Sequence, residues 1–168
     1  EAHMAKESSF DIVSTVDIQE VDNAFQQAKR EISQRYDLKD SGAEITLYKQ
    51  IKTLGIHAPA DFVARQVKDV IGSKLVKRGI ELTAVKWGEP QAATGQSVRF
   101  SATIVDGIDK ETASKISKDI RNLKLKCKAT IEGDKLRVSS ASRDTLQEVI
   151  AFLKGQDYGQ PLQYTNYR

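Results

Sequence analysis

Basic side chains recur at alternate positions through the second half of this 168-residue chain. Arg99 lies in the run Val98–Val105, Lys126 and Lys128 in Lys126–Ile131, and Lys135 and Arg137 in Lys135–Ser140. Alternate residues of a strand project to one face, so the spacing predicts a sheet face with five cations and no acid. Ser101, Thr103, Thr130, Ser139, Gln163 and Thr165 fall on the same face. Lysine and arginine neutralise phosphate, and hydroxyls fill its remaining acceptor sites. The chemistry implied is anion binding. Lys126, Lys128 and Arg137 would meet phosphates, with Lys135 beside them and Lys124 and Arg121 at the approach. Arg99 or Arg121 could make bidentate contacts, including to a guanine edge. Tyr167, or Tyr164 if the register slips by one, would offer a stacking surface. The competing reading is that lysines on short strands discourage edge-to-edge pairing.

Other chemistries find no residues to carry them. The chain has two histidines, and His3 precedes Met4 in a segment read as a tag remnant. His57 alone builds neither a Ser-His-Asp triad nor a histidine metal cluster. Cys127 falls on the core side of its strand, where a thiol serves as a small hydrophobe. Neither GxxxxGK[ST] nor GxGxxG occurs. The expectation is a protein that is not an enzyme and that uses no cofactor or metal. The third strand of the second half reads KLRVSS, without the aromatic platforms of an RNA-recognition domain.

The elements that must position these residues occur in one order, twice. Ser9–Ser14 reads as a strand. Asp17 then caps a helix, with Glu20 in a capping-box position and Ile18, Val21, Phe25, Ala28, Ile32 and Tyr36 on its inner stripe. Strands at Ala43–Tyr48 and Lys52–Ala58 follow. A helix capped by Asp61 carries Phe62, Val63, Val67, Val70, Ile71 and Leu75 inward, and Glu81–Trp87 is a final strand. Gly88–Ser97 reads as a linker. The order restarts with Val98–Val105, a helix capped by Asp109, a hairpin across Glu132-Gly133-Asp134, a helix capped by Ser142, and a closing strand at Pro161–Tyr167. The fold class predicted is α+β, a tandem duplication of ferredoxin-like βαββαβ sandwiches. The domains are residues 4–90 and 91–168, expected to pack on one another because each core is small. The open face of the first half would carry Asp11, Val13, Glu44, Thr46, Tyr48, Thr53, Gly55 and His57, with Thr83, Val85 and Trp87. Being partly apolar, it suits burial against the other half or a partner.

Charge is distributed unevenly. Residues 1–90 hold 13 basic and 14 acidic side chains, a net −1, and residues 91–168 hold 13 and 9, a net +4. The asymmetry points the second half toward an anionic ligand. No apolar run approaches the roughly 20 residues that cross a bilayer. One cysteine and the polar stretch after Met4 lead to a cytoplasmic address as the expectation.

Several stretches resemble the bacterial YajQ family. They include Ser9–Ser14 (SFDIVS) with Val16-Asp17, Arg35-Tyr36-Asp37-Leu38 and Lys77-Arg78-Gly79-Ile80. In the second half Lys124–Lys126, Gly133-Asp134, Leu136-Arg137-Val138, Ser142-Arg143-Asp144 and the ending Gly159-Gln160-Pro161 through Asn166-Tyr167-Arg168 resemble it too. The resemblance implies a small cytosolic nucleotide-binding protein of two ferredoxin-like domains that exchange their N-terminal strands, 9–14 and 98–105. It implies no catalysis, and ligands among nucleoside triphosphates, RNA or cyclic di-GMP. Under that exchange Arg99 joins the first sheet and Asp11 comes beside Lys128 and Arg137. The function expected is binding of an anionic nucleotide, cyclic di-GMP among the candidates, on the basic sheet face or in the cleft between domains. The alternatives are an RNA or tRNA module reading the phosphate backbone, and an adaptor for a downstream protein partner. No membrane partner is expected.

Overall fold

The computed structural model describes residues 6–168. Residues 1–5, including the segment read as a tag remnant, lie outside the described residues. Strand β1 (Ser8–Val13) leads to helix α1 (Ile18–Gln34). Asp17 starts α1 by accepting from the N–H groups of Gln19 and Glu20, two of the donors that a helix start leaves unpaired. Glu20 does not close the capping box; its carboxylate accepts from Asn23 Nδ2 at 2.6 Å. The inner stripe Val21, Ala24, Phe25, Ala28 and Ile32 is buried. The helix ends at Gln34, Arg35 is extended, and Tyr36, expected on that stripe, is 90% exposed.

Strands β2 (Glu44–Tyr48) and β3 (Thr53–Ala58) form a hairpin, followed by α2 (Asp61–Lys77). Asp61 is the first helical residue instead of its cap, and it pairs with Arg65 at 2.8 Å. Phe62, expected inside, is exposed. The strand expected at 81–87 begins as a 3-10 turn at Leu82–Ala84 and leaves only β4 (Val85–Trp87). The turn shifts the alternation. Val85 is therefore buried and Trp87 packs against the core, its ring edge-on to Phe100 at 6.4 Å, instead of both standing on the open face. The stretch expected as a linker contains β5 (Gln91–Ala92), which pairs with β6 (Val98–Ile104).

Asp109 caps α3 (Lys110–Asn122) through a 2.7 Å bond from the Thr112 N–H. Strands β7 (Lys128–Glu132) and β8 (Lys135–Ser140) turn at Gly133-Asp134, where Gly133 has φ 63°. A two-residue hairpin loop with positive φ favours glycine at this position. Lys126 and Cys127, expected in the strand, precede it. Ser142 caps α4 (Arg143–Lys154), and β9 (Gln163–Thr165) closes the chain's order.

The chain forms an α+β protein with four helices and two antiparallel sheets among the described residues. One compact unit is contiguous, Val16–Val105, with strand order β2-β3-β6-β4 and β5 also on β6. The other is composite, running up to Thr15 and from Asp106 to Arg168, with order β7-β8-β1-β9. Each sheet with its two helices is compatible with a ferredoxin-like arrangement. β6 lies between β3 and β4, and β1 lies between β8 and β9. Each unit has its own apolar core, on the helix-covered side.

Candidate functional site

The open face of the composite sheet carries most of the cations read from the sequence. Lys128 and Thr130 come from β7, Lys135, Arg137 and Ser139 from β8, and Gln163 and Thr165 from β9. Their alternating neighbours Leu136, Val138, Phe10 and Ile12 are buried under the helices. Lys126 is exposed just before β7, its carbonyl accepting a 2.7 Å bond from Ser140 Oγ. Lys124 is exposed in the turn after α3 with φ 57°, and Arg121 is exposed in the last turn of that helix.

The face is not free of acid, and here the five-cation expectation is corrected. With β1 in this sheet, Asp11 stands directly opposite Arg137. Its side chain is 2% exposed and accepts from Arg137 Nε at 2.9 Å, Asn166 Nδ2 at 2.8 Å and Lys135 Nζ at 3.4 Å. Arg137 also lies 3.6 Å from Glu132. The hydrogen bond from Arg137 is the chief cause that holds the Asp11 carboxyl well below its ordinary value, at about 2, against the opposing effect of burial. Charge-assisted bonds of this kind favour the ionised form strongly. Arg137 and Lys135 are thus largely committed to Asp11. Lys126 and Lys128 make no ion pair with an acid among the described residues. Arg99 leaves the set, because β6 puts it opposite His57 in the contiguous sheet.

The tyrosines also move from their expected places. Tyr164 faces the core side, its ring edge-on to Phe10 at 6.1 Å, and burial raises its hydroxyl pKa. After β9 the ladder acquires an extra residue: Asp11 pairs with Thr165, yet Ser9 exchanges both backbone bonds with Arg168. Asn166, at φ 57°, absorbs the difference as a bulge, a device that re-aims the next side chain. Tyr167 is thereby turned to the helix side. Its ring lies 6.2 Å from that of Phe10 and remains 60% exposed.

This bulge builds a cavity of about 430 Å³ lined by Ser8, Ser9, Arg143, Leu146, Gln147, Tyr167 and Arg168. Ser142 starts α4 beside the first residues of β1, so Arg143 reaches Ser8 Oγ from Nε at 3.4 Å. Arg143 and Arg168 have no acidic side-chain partner among the described residues, and no side chain of the lining is a carboxylate, imidazole or thiol. The volume lies within the roughly 300–1,000 Å³ of small-molecule sites. Across the sheet, Ser9 stands opposite Ser139 and Ser139 opposite Lys128. Strands about 4.8 Å apart put Lys128 roughly 10 Å from Ser9 in the same row. Sequence reasoning missed Arg143 and Arg168, since neither falls in a strand pattern. The signals available were that Arg143 follows a helix cap directly and that both arginines fall in stretches resembling the family.

A cysteine remains to be placed. Cys127 packs partly against the composite core, and desolvation raises its thiol pKa, the opposite of what a nucleophilic thiolate needs. No cluster of three or more metal-ligating side chains occurs among the described residues, and no described helix is long and apolar enough to cross a membrane.

The fold and this cavity define a two-unit α+β protein whose composite sheet ends in a pocket rich in arginine. A family described as nucleotide-binding protein YajQ-like matches residues 8–168, so the chain belongs to the YajQ-like family. It is 48% identical over 160 residues to a nucleotide-binding protein of Parvibaculum lavamentivorans, covering 95% of this chain and 98% of that one. A nucleotide-binding protein of Bacillus cereus is 46% identical over 165 residues, 98% of this chain and all of the relative. One from Chloroherpeton thalassium is 42% identical over 165 residues, with the same coverage.

Proposed function

We propose that this chain binds an anionic nucleotide, without turnover, at the end of the composite sheet where β1 begins. The observation that carries the reading is the pocket with two arginines, an open tyrosine ring and two serine hydroxyls, and no acidic side chain in its lining. Tyr167 and Leu146 offer a surface for the base. Arg143 and Arg168 offer forked donors for phosphate, and Lys128 and Lys126 lie along the same sheet end for a longer phosphate chain. The names of the relatives support a nucleotide as the ligand class. Binding without chemistry is supported by the lining itself, which holds no group to act as a general base. We read the two units as a duplication with exchanged first strands, supported by their identical strand orders.

Calorimetric titration with a panel of ATP, GTP, cyclic di-GMP and tRNA, repeated over a series of salt concentrations, tests the reading. At least one small nucleotide should bind with a shallow salt dependence. Arg143→Ala and Arg168→Ala should each weaken it by about 1.5–3 kcal/mol, the worth of one charge-assisted contact. A steep salt slope with tRNA alone would favour backbone recognition of RNA instead. Unchanged affinity in the double variant would remove the site from this pocket.

A further inference from the structure

The contiguous unit has an unpaired sheet edge beside an apolar groove. Strand β4 pairs with β6 on one side only. Ala84 O and Gly88 N both bond toward β6, to Val105 N at 2.7 Å and Ser101 O at 2.8 Å. Backbone groups alternate in direction along an antiparallel strand, so those of Val85 and Trp87 point away from the sheet; the Val85 N–H is taken by Leu82 O in the 3-10 turn, which leaves the Val85 C=O and both groups of Trp87 for a partner strand. Alongside lies a groove of about 450 Å³ between α2 and this edge, whose apolar lining is Val76, Leu82, Val85 and Trp87, with Gly72 leaving its floor low. Val76 is 55% and Leu82 50% exposed, an unusual position for two neighbouring aliphatic side chains.

From this we infer that the β4 edge and groove form a docking site for an extended acidic peptide segment of a partner protein, added as a further antiparallel or parallel strand. Strand addition draws affinity from main-chain bonds and specificity from alternate side chains. One set of the partner's alternate residues would enter the groove, which selects apolar side chains. The other set would lie on the open face, beside the exposed Lys86 of β4. Lys68 and Lys77 border the groove, with Asp69 as the single acid in its lining. Lys68 Nζ sits 5.4 Å over the Trp87 ring and makes no ion pair with an acid among the described residues. Acidic residues of the set on the open face therefore meet Lys86, while at the groove Lys68 and Lys77 outnumber Asp69. Lys86 also discriminates against a second copy of this edge, because two such strands would bring lysine against lysine. The site lies wholly within Val16–Val105 and is separate from the nucleotide pocket, so either can fail without the other.

Trp87 is the chain's single tryptophan, and its emission reads occupancy of the groove directly. The probe is a synthetic capped peptide of alternating glutamate and leucine, compared with the same peptide carrying lysine for glutamate. A third peptide is N-methylated on pairs of consecutive amides, so that each edge loses main-chain donors. The acidic peptide should give a saturable change in Trp87 emission, and the lysine peptide should bind at least about tenfold more weakly. The methylated peptide should lose binding by a similar factor. Val76→Glu and Leu82→Glu, both at half-exposed positions and checked for fold by circular dichroism, should each weaken the acidic peptide at least about tenfold. No saturable change up to millimolar peptide would overturn the inference. So would equal affinity for the lysine or methylated peptides, or unchanged binding in whichever of the two variants folds.

Discussion

The two sheets place the same motif at their centres and use it differently. In the composite sheet Phe10 faces the core edge-on to Tyr164; in the contiguous sheet Phe100 faces the core edge-on to Trp87. Register makes Asp11 the counterpart of Ser101, since each follows its phenylalanine on the open face. Asp11 gathers Arg137, Lys135 and Asn166 into one buried network. Across from Ser101 stands Gly55; in the next row Arg99 stands opposite His57 and His57 opposite Glu44, which is exposed and gathers no such network. The difference teaches that a count of cations on a face is not a count of available charge. One buried carboxylate converts the most basic face of the chain into a fastened one, and on the proposed reading binding falls to the cations at its end.

Breaking Asp11 should have the largest effect. Asp11→Ala leaves Arg137 and Lys135 without their acceptor and should cost roughly 3 kcal/mol in urea unfolding, whereas Ser101→Ala should stay within about 0.5 kcal/mol. Acid sharpens the same contrast. The Asp11 carboxyl ionises near pH 2 when folded and at 3.8 as its ordinary value. A depressed folded pKa gives stability that is complete above the ordinary value and disappears as pH falls through the folded one. The parent should therefore exceed Asp11→Asn by roughly 2 kcal/mol at pH 5, and the gap should close between about pH 4 and 2. Denaturation of both proteins across that range reads it. Lys128→Ala and Arg137→Ala should then separate: the first should leave stability within about 0.5 kcal/mol and weaken nucleotide affinity about tenfold. The second should chiefly cost stability, because it strands the buried Asp11. A smaller loss than that of Asp11→Ala falls in the contiguous sheet. A Cβ on Gly55 would fall 2.7 Å from Thr46 Oγ1, so Gly55→Ala should cost about 1 kcal/mol, and less in a Thr46→Ala background.

Much of the fold was legible because periodicity and caps are local. Asp17, Asp109 and Ser142 cap their helices as their residue types predict, and the hairpin turns at Gly133. Alternation, however, reports which face a side chain takes and not which strand lies next to it. SFDIV and RFSATI alternate alike, so periodicity alone assigned Arg99 to the basic sheet and overlooked Asp11. Only the family resemblance raised the exchange of strands. Local backbone detail escaped for a related reason. The 3-10 turn before Val85 and the positive φ of Asn166 each shift alternation by one step, and those steps reversed Trp87 and Tyr167. Arg143 and Arg168 become a pair only when the chain's two ends meet at Ser8 and Ser9, a contact no sequence window contains.

Mapping amide signals of the isotopically labelled protein during titration with the tightest-binding nucleotide of the panel tests the central claim most directly. The account predicts that the largest shifts fall at Ser8–Ser9, Arg143–Gln147 and Tyr167–Arg168, with a smaller set at Lys128 and Ser139. Shifts centred on Thr46, Gly55, His57 and Arg99, with the Ser8–Ser9 signals unmoved, would contradict it and transfer the site to the other sheet.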